Sequence, residues 1–410
     1  MMEKSIELGI GFVTGRSNVC NIINNYYKNM LSQVSKLRQH VNITLFVLYD
    51  LTYQGTERID FYKIIPAVYK DINVKFITPE NIEEEKKRII AQTNISYNEI
   101  NLLLGNGHAK GRNTLMHFAY RDNMDYLLFW DDDEYPLACF KNKNKNRISW
   151  KYQNNINMHL KNIDNADVTI GYHCGYVSPI PYVDFENEID ENHFRSFIEA
   201  VSNDILSWES IKYKMQNDNG VTYADPDLAN EKGLYEIVQD GAGKWVAGST
   251  LCLNLRHIKN IPAFYNPIGA RGEDTFFATK LEDSKVLKVP VYHFHDGFLM
   301  YPEIMLSKFP KSLAKADNSE KIIEKRFFKA SIGWIRYKPL LMYISDRKNY
   351  KQNIKKVYEN LQSCIPAMNK IFKDYDFSIL LDELTKYSNN VKNDYAEYLK
   401  TNEIWNKLKK

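Results

Sequence analysis

No stretch of this 410-residue chain approaches the ~20 consecutive apolar residues that a membrane-spanning helix needs. A mean hydropathy of −0.47 likewise argues against an integral membrane protein. The start, Met1-Met2-Glu3-Lys4-Ser5, is charged rather than apolar, so no secretory leader is expected. Cysteine is scarce: Cys20, Cys139, Cys174, Cys252 and Cys364 are odd in number, far apart, in mostly apolar contexts, and form no C-x-x-C. This excludes a disulfide framework and a thiolate metal site, and leads us to expect reduced core thiols and a cytoplasmic setting. There is no G-x-G-x-x-G and no G-x-x-x-x-G-K-[ST], which removes the dinucleotide fingerprint and the P-loop. No segment repeats.

Net charge is small, +3, but unevenly spread: from Tyr301 onward 22 Lys and Arg face 13 Asp and Glu, a balance of +9 that leaves −6 for the first 300 residues. A basic tail of this kind most often solvates helix faces. The other reading is peripheral contact with anionic lipid, here at the inner face of a membrane. Nucleic acid is not an expected partner, because the basic residues lie in the tail and the candidate cleft is acidic.

What the chain does have is Tyr126-Leu127-Leu128-Phe129-Trp130 running into Asp131-Asp132-Asp133-Glu134. The apolar run reads as a short buried strand with the acids at its carboxyl end. Adjacent carboxylates repel unless something positive neutralises them, and a divalent cation with oxygen ligands, Mn²⁺ or Mg²⁺, would do so. Alternation along a strand is expected to turn Asp131 and Asp133 toward one ion and Asp132 elsewhere. The plainer alternative is an exposed acidic turn.

Other elements lead to the same place. Leu8 to Val13 predicts a first strand, and Thr14-Gly15-Arg16-Ser17-Asn18 after it offers free backbone N–H groups and one guanidinium fork, a combination suited to a diphosphate. A helix through about Leu37 follows, then strands over Val41–Asp50 and Val74–Ile77, with Thr78-Pro79-Glu80 opening a capped helix. Gly105 to Thr114 reads as a glycine-rich basic loop, an anion site ahead of a helix through Leu115 and Phe118. Lys141 to Arg147 reads as a mobile basic flap. Later strands are expected over Asp167–Tyr172, Lys244–Leu255 and Val286–Gly297, with a Glu273-Asp274 pair capping a helix between the last two. His293 and His295 alternate on the final strand, so they share a face, and beside acids they suggest a metal ligand.

Strands alternating with helices mean an α/β sheet, and ligands gather outside the carboxyl ends of its parallel strands. Thr14 to Asn18, Asp50 and the Asp131 cluster all fall there. Residues 1–300 are expected to form this domain, with an insertion at about 180–241. Residues 301–410 are expected to form a helical extension, with helical patterns around Ile322 to Phe328 and over Tyr350 to Tyr375, Phe377 to Tyr387 and Val391 to Leu408. Within it, Phe327 to Tyr343 mixes aromatics, aliphatics and bases, and core packing is preferred over an interfacial membrane contact.

A divalent ion, a diphosphate site and a lone carboxylate base are the needs of glycosyl transfer from a sugar nucleotide. In its order of features the chain resembles the GT-A glycosyltransferases, in particular the inverting glycosyltransferase family 2, over roughly Leu8 to Phe298. The resemblance implies a GT-A (Rossmann-like) mixed, mostly parallel sheet flanked by helices. It implies Asp274 as general base, with Glu273 holding the acceptor. Donor contacts would come from Thr14, Arg16, Asp50, Arg112, Asn113, Asp131 and Asp132. Asp131, Asp133 and either His293 or His295 would ligate the metal. The first loop departs from the family in lacking its Tyr-Asn pattern. The implied donor is a UDP- or GDP-sugar and the acceptor a glycan or glycolipid hydroxyl, as in polysaccharide biosynthesis. The rival readings are a sugar-phosphate nucleotidyltransferase and a non-enzymatic calcium-dependent carbohydrate-binding module.

Overall fold

A computed structural model describes residues 5–53, 55–142, 147–202 and 208–409. Its strands are β1 (Ile6–Thr14), β2 (Val41–Tyr49), β3 (Asn73–Ile77), β4 (Tyr126–Phe129), β5 (Glu134–Tyr135), β6 (Leu137–Asn142), β7 (Arg147–Tyr152), β8 (Val168–Gly175), β9 (Tyr235–Glu236), β10 (Leu251–Asn254) and β11 (Val286–His295). The main sheet has the order β3-β2-β1-β4-β10-β8-β11-β5, with β9 added on β11, while β6 and β7 form a separate hairpin. β10 runs antiparallel to both its neighbours, β4 and β8, and β5 and β9 run antiparallel to β11. The sheet is therefore mixed, with β1, β2, β3, β4, β8 and β11 sharing one direction.

The helices are α1 (Asn18–Val34), α2 (Arg58–Phe61), α3 (Pro66–Asp71), α4 (Pro79–Gln92), α5 (Tyr97–Leu103), α6 (His108–Arg121), α7 (Asn155–Asn162), α8 (Glu188–Val201), α9 (Trp208–Asp218), α10 (Glu273–Ala278), α11 (Lys321–Ser345), α12 (Tyr350–Ile371) and α13 (Ile379–Leu408). They cover both faces of the sheet. On β1, Ile6, Leu8, Ile10 and Phe12 alternate onto one face and pack with Tyr26 and Met30 of α1 and Ile156 of α7. The other face buries Leu127 and Phe129 of β4 under Leu115 and Phe118 of α6, and Ile404 and Trp405 of α13 reach this same core. Thr78 caps α4 by accepting from the Asn81 N–H at 3.3 Å.

The helices after residue 300 share a core with the middle of the chain. Phe194 and Phe197 of α8 pack against Phe327 of α11, and Phe372 and Phe377 close the cluster. In the Phe327–Tyr343 stretch of α11, Phe327, Ala330, Ile335, Leu340 and Leu341 are buried against protein. Among the described residues no helix is long and apolar enough to cross a membrane. All five cysteines are free and buried.

Several expected boundaries move. α6 begins at His108, so Ala109 to Thr114 are helical rather than a loop. Gly107, at φ 96°, makes the turn. Gly111 lies inside the helix, where a Cβ would come within 2.6 Å of Val13 Cγ1, so its role is close packing on β1. The anion site expected at this turn is partly filled, because the Ala109 N–H donates to Asn266 Oδ1 at 3.1 Å. Only Leu251–Asn254 of the expected Lys244–Leu255 strand is extended. The residues before it are irregular, and Thr250 sits at φ 52°. Ser388 to Asn390 do not interrupt α13, so the last two expected helices are one. Most of the expected Lys141–Arg147 flap, residues 143–146, lies outside the described residues, as does part of the segment before α9.

Candidate functional site

β1 is where the strand order turns: β2 and β3 lie on one side of it and β4 on the other. The carboxyl ends of β1 and β4 thus flank a crevice of the kind that binds ligands in α/β sheets. The loop after β1 crosses this crevice onto the acids. The Thr14 hydroxyl donates to Asp132 Oδ2, and Arg16 Nη2 pairs with Asp132 Oδ1 while lying 3.0 Å from Asp133 Oδ2. Asn18 Nδ2 donates to the Asp132 carbonyl at 2.7 Å. Asp50 stands beside this loop: its N–H donates to Thr14 O at 2.8 Å, and its Oδ1 accepts from the Thr52 N–H at 2.9 Å and hydroxyl at 2.7 Å.

The expected alternation through the acids does not hold. β4 ends at Phe129, and Asp132-Asp133 form a turn, which breaks the period of two. Asp132 and Asp133 consequently share Arg16, and Asp131 faces Arg112. Nor is the stretch an exposed acidic turn, for Asp132, Asp133 and Glu134 are all buried.

The chain then doubles back as β5 and pairs Glu134 with His295 of β11. The Asp296 N–H donates to Asp133 O at 2.9 Å, which fixes the end of β11 against the turn. His295 Nε2 lies 3.6 Å from Asp133 Oδ2. His293, one pleat deeper and fully buried, is engaged elsewhere: Nδ1 meets Glu134 Oε2 at 3.1 Å and Nε2 meets Asn155 Nδ2 at 3.0 Å. Glu134 also accepts from the Ser249 hydroxyl at 2.5 Å and lies 3.1 Å from His173 Nε2. His295 is therefore the histidine at the acid turn, and His293 belongs to a buried polar network beneath it. That network of Glu134, His173, Ser249 and Asn155 was not anticipated, because its members come from four separate segments.

α6 carries Arg112 under the cleft. Its Nη1 donates to Gly248 O, Nη2 is 3.4 Å from Asp131 Oδ1, and Nε is 3.6 Å from Glu273 Oε1. The guanidinium stacks 5.0 Å above the Phe129 ring. Position 248 must be small, since a Cβ there would come within 2.6 Å of Arg112 Nη2. Glu273 and Asp274 open α10 after Gly272 at φ 94°, and Asp274 Oδ1 accepts from the Thr275 N–H at 2.8 Å. Asn113 serves differently from its neighbour: both ends of its amide bind the Phe264 backbone, at 2.9 and 2.8 Å, so it braces the wall of the site and does not face the cleft.

The electrostatics divide the acids. Desolvation, with Glu134, Asp133 and Asp132 nearby, raises Asp131 to about 7 against the pull of Arg112. Desolvation raises Asp132 to about 6 against Arg16, and raises Asp274 to about 6 with help from Glu273. Asp133 is also desolvated, yet His295 and Arg16 hold it below the usual carboxylate range. Glu134 is held low in the same way by His173 and His293, and Glu273 by His108 and Arg112.

The donor set fits a hard divalent ion in part. Asp133 and His295 offer an oxygen and a nitrogen 3.6 Å apart. Adjacent ligands of an octahedral ion at ~2.1 Å would be separated by roughly 3 Å. Asp131, the third expected ligand, is paired with Arg112, and among the described residues no three His, Cys, Asp or Glu side chains converge as a metal group. A concavity lined by Leu255 to Asn260 and Lys409 lies off this rim, as does one lined by Lys75, Glu84, Glu85, Arg88, Arg121 and Asp122, whose charges pair largely with one another. No protein-family model matches the chain, and no curated protein matches it either.

Proposed function

We propose that the chain is a metal-dependent inverting glycosyltransferase of GT-A type, moving a sugar from a UDP- or GDP-sugar to a hydroxyl of a glycan or glycolipid in the cytoplasm. The observation that carries this reading is the guanidinium of Arg112, within 3.4 Å of Asp131 and 3.6 Å of Glu273. It joins an acidic turn suited to a divalent ion and a carboxylate pair suited to an acceptor, although they are far apart in sequence.

On this reading Asp274 takes the proton of the acceptor hydroxyl. A general base works best when its pKa is near the operating pH, and desolvation beside Glu273 has moved Asp274 up to about 6. His108 and Arg112 keep Glu273 charged, and Arg112 fixes the spacing of the two halves. Thr14, Arg16 and Asn18 hold the turn of Asp132, and Asp50 lines the neighbouring strand end for the ribose or base. A divalent ion, Mn²⁺ or Mg²⁺, held by Asp133 and His295 with Asp131 as third donor, would supply positive charge opposite the diphosphate.

The test is thermal stabilisation by UDP, GDP, CDP and dTDP, each with and without Mn²⁺. A ligand at 100 times its dissociation constant adds about 2.7 kcal/mol. A metal-dependent shift with one nucleotide supports the reading and names the donor base. No shift with any of them rejects it. Stabilisation by a sugar 1-phosphate, or by Ca²⁺ with an oligosaccharide, would then install the nucleotidyltransferase or the binding module in its place.

A further inference from the structure

Two guanidiniums at this cleft, Arg326 and Arg271, differ from Arg16 and Arg112 in having no carboxylate paired with them among the described residues. Arg326 projects from α11 against the loop that follows β11. Its Cζ lies 5.0 Å from the Phe298 ring, and a Cβ on Gly297 would come within 2.5 Å of its Nη2 and 2.7 Å of its Nη1. Arg271 directly precedes Gly272-Glu273-Asp274, and its stem lies on Gly333 of α11, where a Cβ would be 3.1 Å from Arg271 Cδ. Two glycines, one after His295 and one in the middle of a helix, thus leave space for these side chains at the cleft. Among the described residues neither arginine has a carboxylate within 4.0 Å.

Arg326 is half-buried. Desolvation lowers its pKa, Asp133 opposes that, and the positive charges of Arg271 and Arg16 add to the lowering. Like charges gathered in a partly dry cleft are unfavourable unless an anion lies among them. Guanidinium forks also match phosphoryl oxygens two at a time.

We propose that Arg326 and Arg271 form a clamp for the diphosphate of the donor, so that helix α11 of the C-terminal region completes the donor site. This rests on reading the cleft as a nucleoside-diphosphate site. A phosphate carried by the acceptor would have the same chemistry, and the assay separates the two sources.

The whole chain is titrated calorimetrically with UDP and GDP in Mn²⁺, with the matching monophosphates, and with inorganic pyrophosphate. Arg326→Gln is expected to weaken the diphosphate that binds wild type, and pyrophosphate, by tenfold or more. The monophosphate should change less than threefold, and the ligand-free melting temperature should not fall. Arg271→Gln, at an exposed position where folding is not at risk, should weaken diphosphate in the same sense. Unchanged diphosphate and pyrophosphate affinity in both variants overturns the clamp, even if the acceptor KM rises, since that result would assign the arginines to the acceptor. Equal losses for mono- and diphosphate overturn it too, as a general disturbance of the cleft. If wild type binds no nucleotide, the glycosyltransferase reading fails separately. Pyrophosphate alone then decides: arginine-dependent binding keeps the anion clamp, and its absence removes it.

Discussion

Arg112→Met retains most of the stem over Phe129 and deletes the charge. Removing one partner of a buried ion pair costs about 3–5 kcal/mol. Asp131 keeps 36% of its side-chain surface exposed, so solvent screens part of the loss and the lower end, about 3 kcal/mol, is expected at pH 8. At pH 5 the effect is smaller. Asp131 and Asp274, raised to about 7 and about 6, are then mostly protonated in the folded protein. The main losses are the charged bond to Gly248 O and the contact with Glu273, which stays ionised, together about 1–2 kcal/mol.

The sign follows from linkage. An unfolded Asp titrates near 3.9, so between about pH 4 and 7 the folded state holds protons that the unfolded state has released, and stability falls as pH rises through that window. Arg112 opposes the rise of both carboxyls, so deleting it moves their folded pKa values higher and steepens the fall. Urea denaturation of wild type and variant at pH 5 and pH 8 measures this directly. A destabilisation equal at the two pH values, or larger at pH 5, refutes the assignment of Arg112 as the counter-charge of these acids.

Asp274→Asn should leave nucleotide stabilisation intact and reduce transfer by about 10²–10⁴-fold, and a variant with substantial turnover would take the base role from Asp274. Asp133→Ala should abolish the Mn²⁺-dependent part of nucleotide binding; the same binding with and without chelator would move the metal elsewhere. Trp405→Ala empties a fully buried position whose indole N–H donates to Ile261 O at 2.8 Å. It should destabilise by about 3–5 kcal/mol and leave nucleotide affinity unchanged, and a loss under 1 kcal/mol would show that α13 is not anchored in the sheet's core.

Much of the architecture was legible in the residue pattern. Apolar runs at β1, β2, β3, β4, β8 and β11, alternating with helical periodicity, announced an α/β sheet. Acids or a small polar turn after β1, β2 and β4 marked one rim. The errors occurred where a local rule met a tertiary demand. Gly111 reads as a loop residue, yet it is helical because α6 must lie close to Val13. Ser388 to Asn390 look like a break, yet α13 continues, because Tyr387 and Val391 on either side are buried against α11. Helix propensities of a few tenths of a kcal/mol do not outweigh such burial.

The fold class, the strand ends where the polar groups collect, and the identity of the acids could be read along the chain, since these depend on periodicities of two and 3.6 residues within short segments. The partners of those acids were set by packing. After Phe129 the chain leaves the strand, and no local rule sets where Asp131, Asp132 and Asp133 then point. The return of β5 onto β11 selects His295 over His293 for the acid turn. α6 delivers Arg112 between Asp131 and Glu273, and α11 brings Arg326 from the far end of the chain. Coulombic and hydrogen-bond contacts act over a few ångströms in space regardless of separation in sequence, so their pairing is settled only when the elements pack.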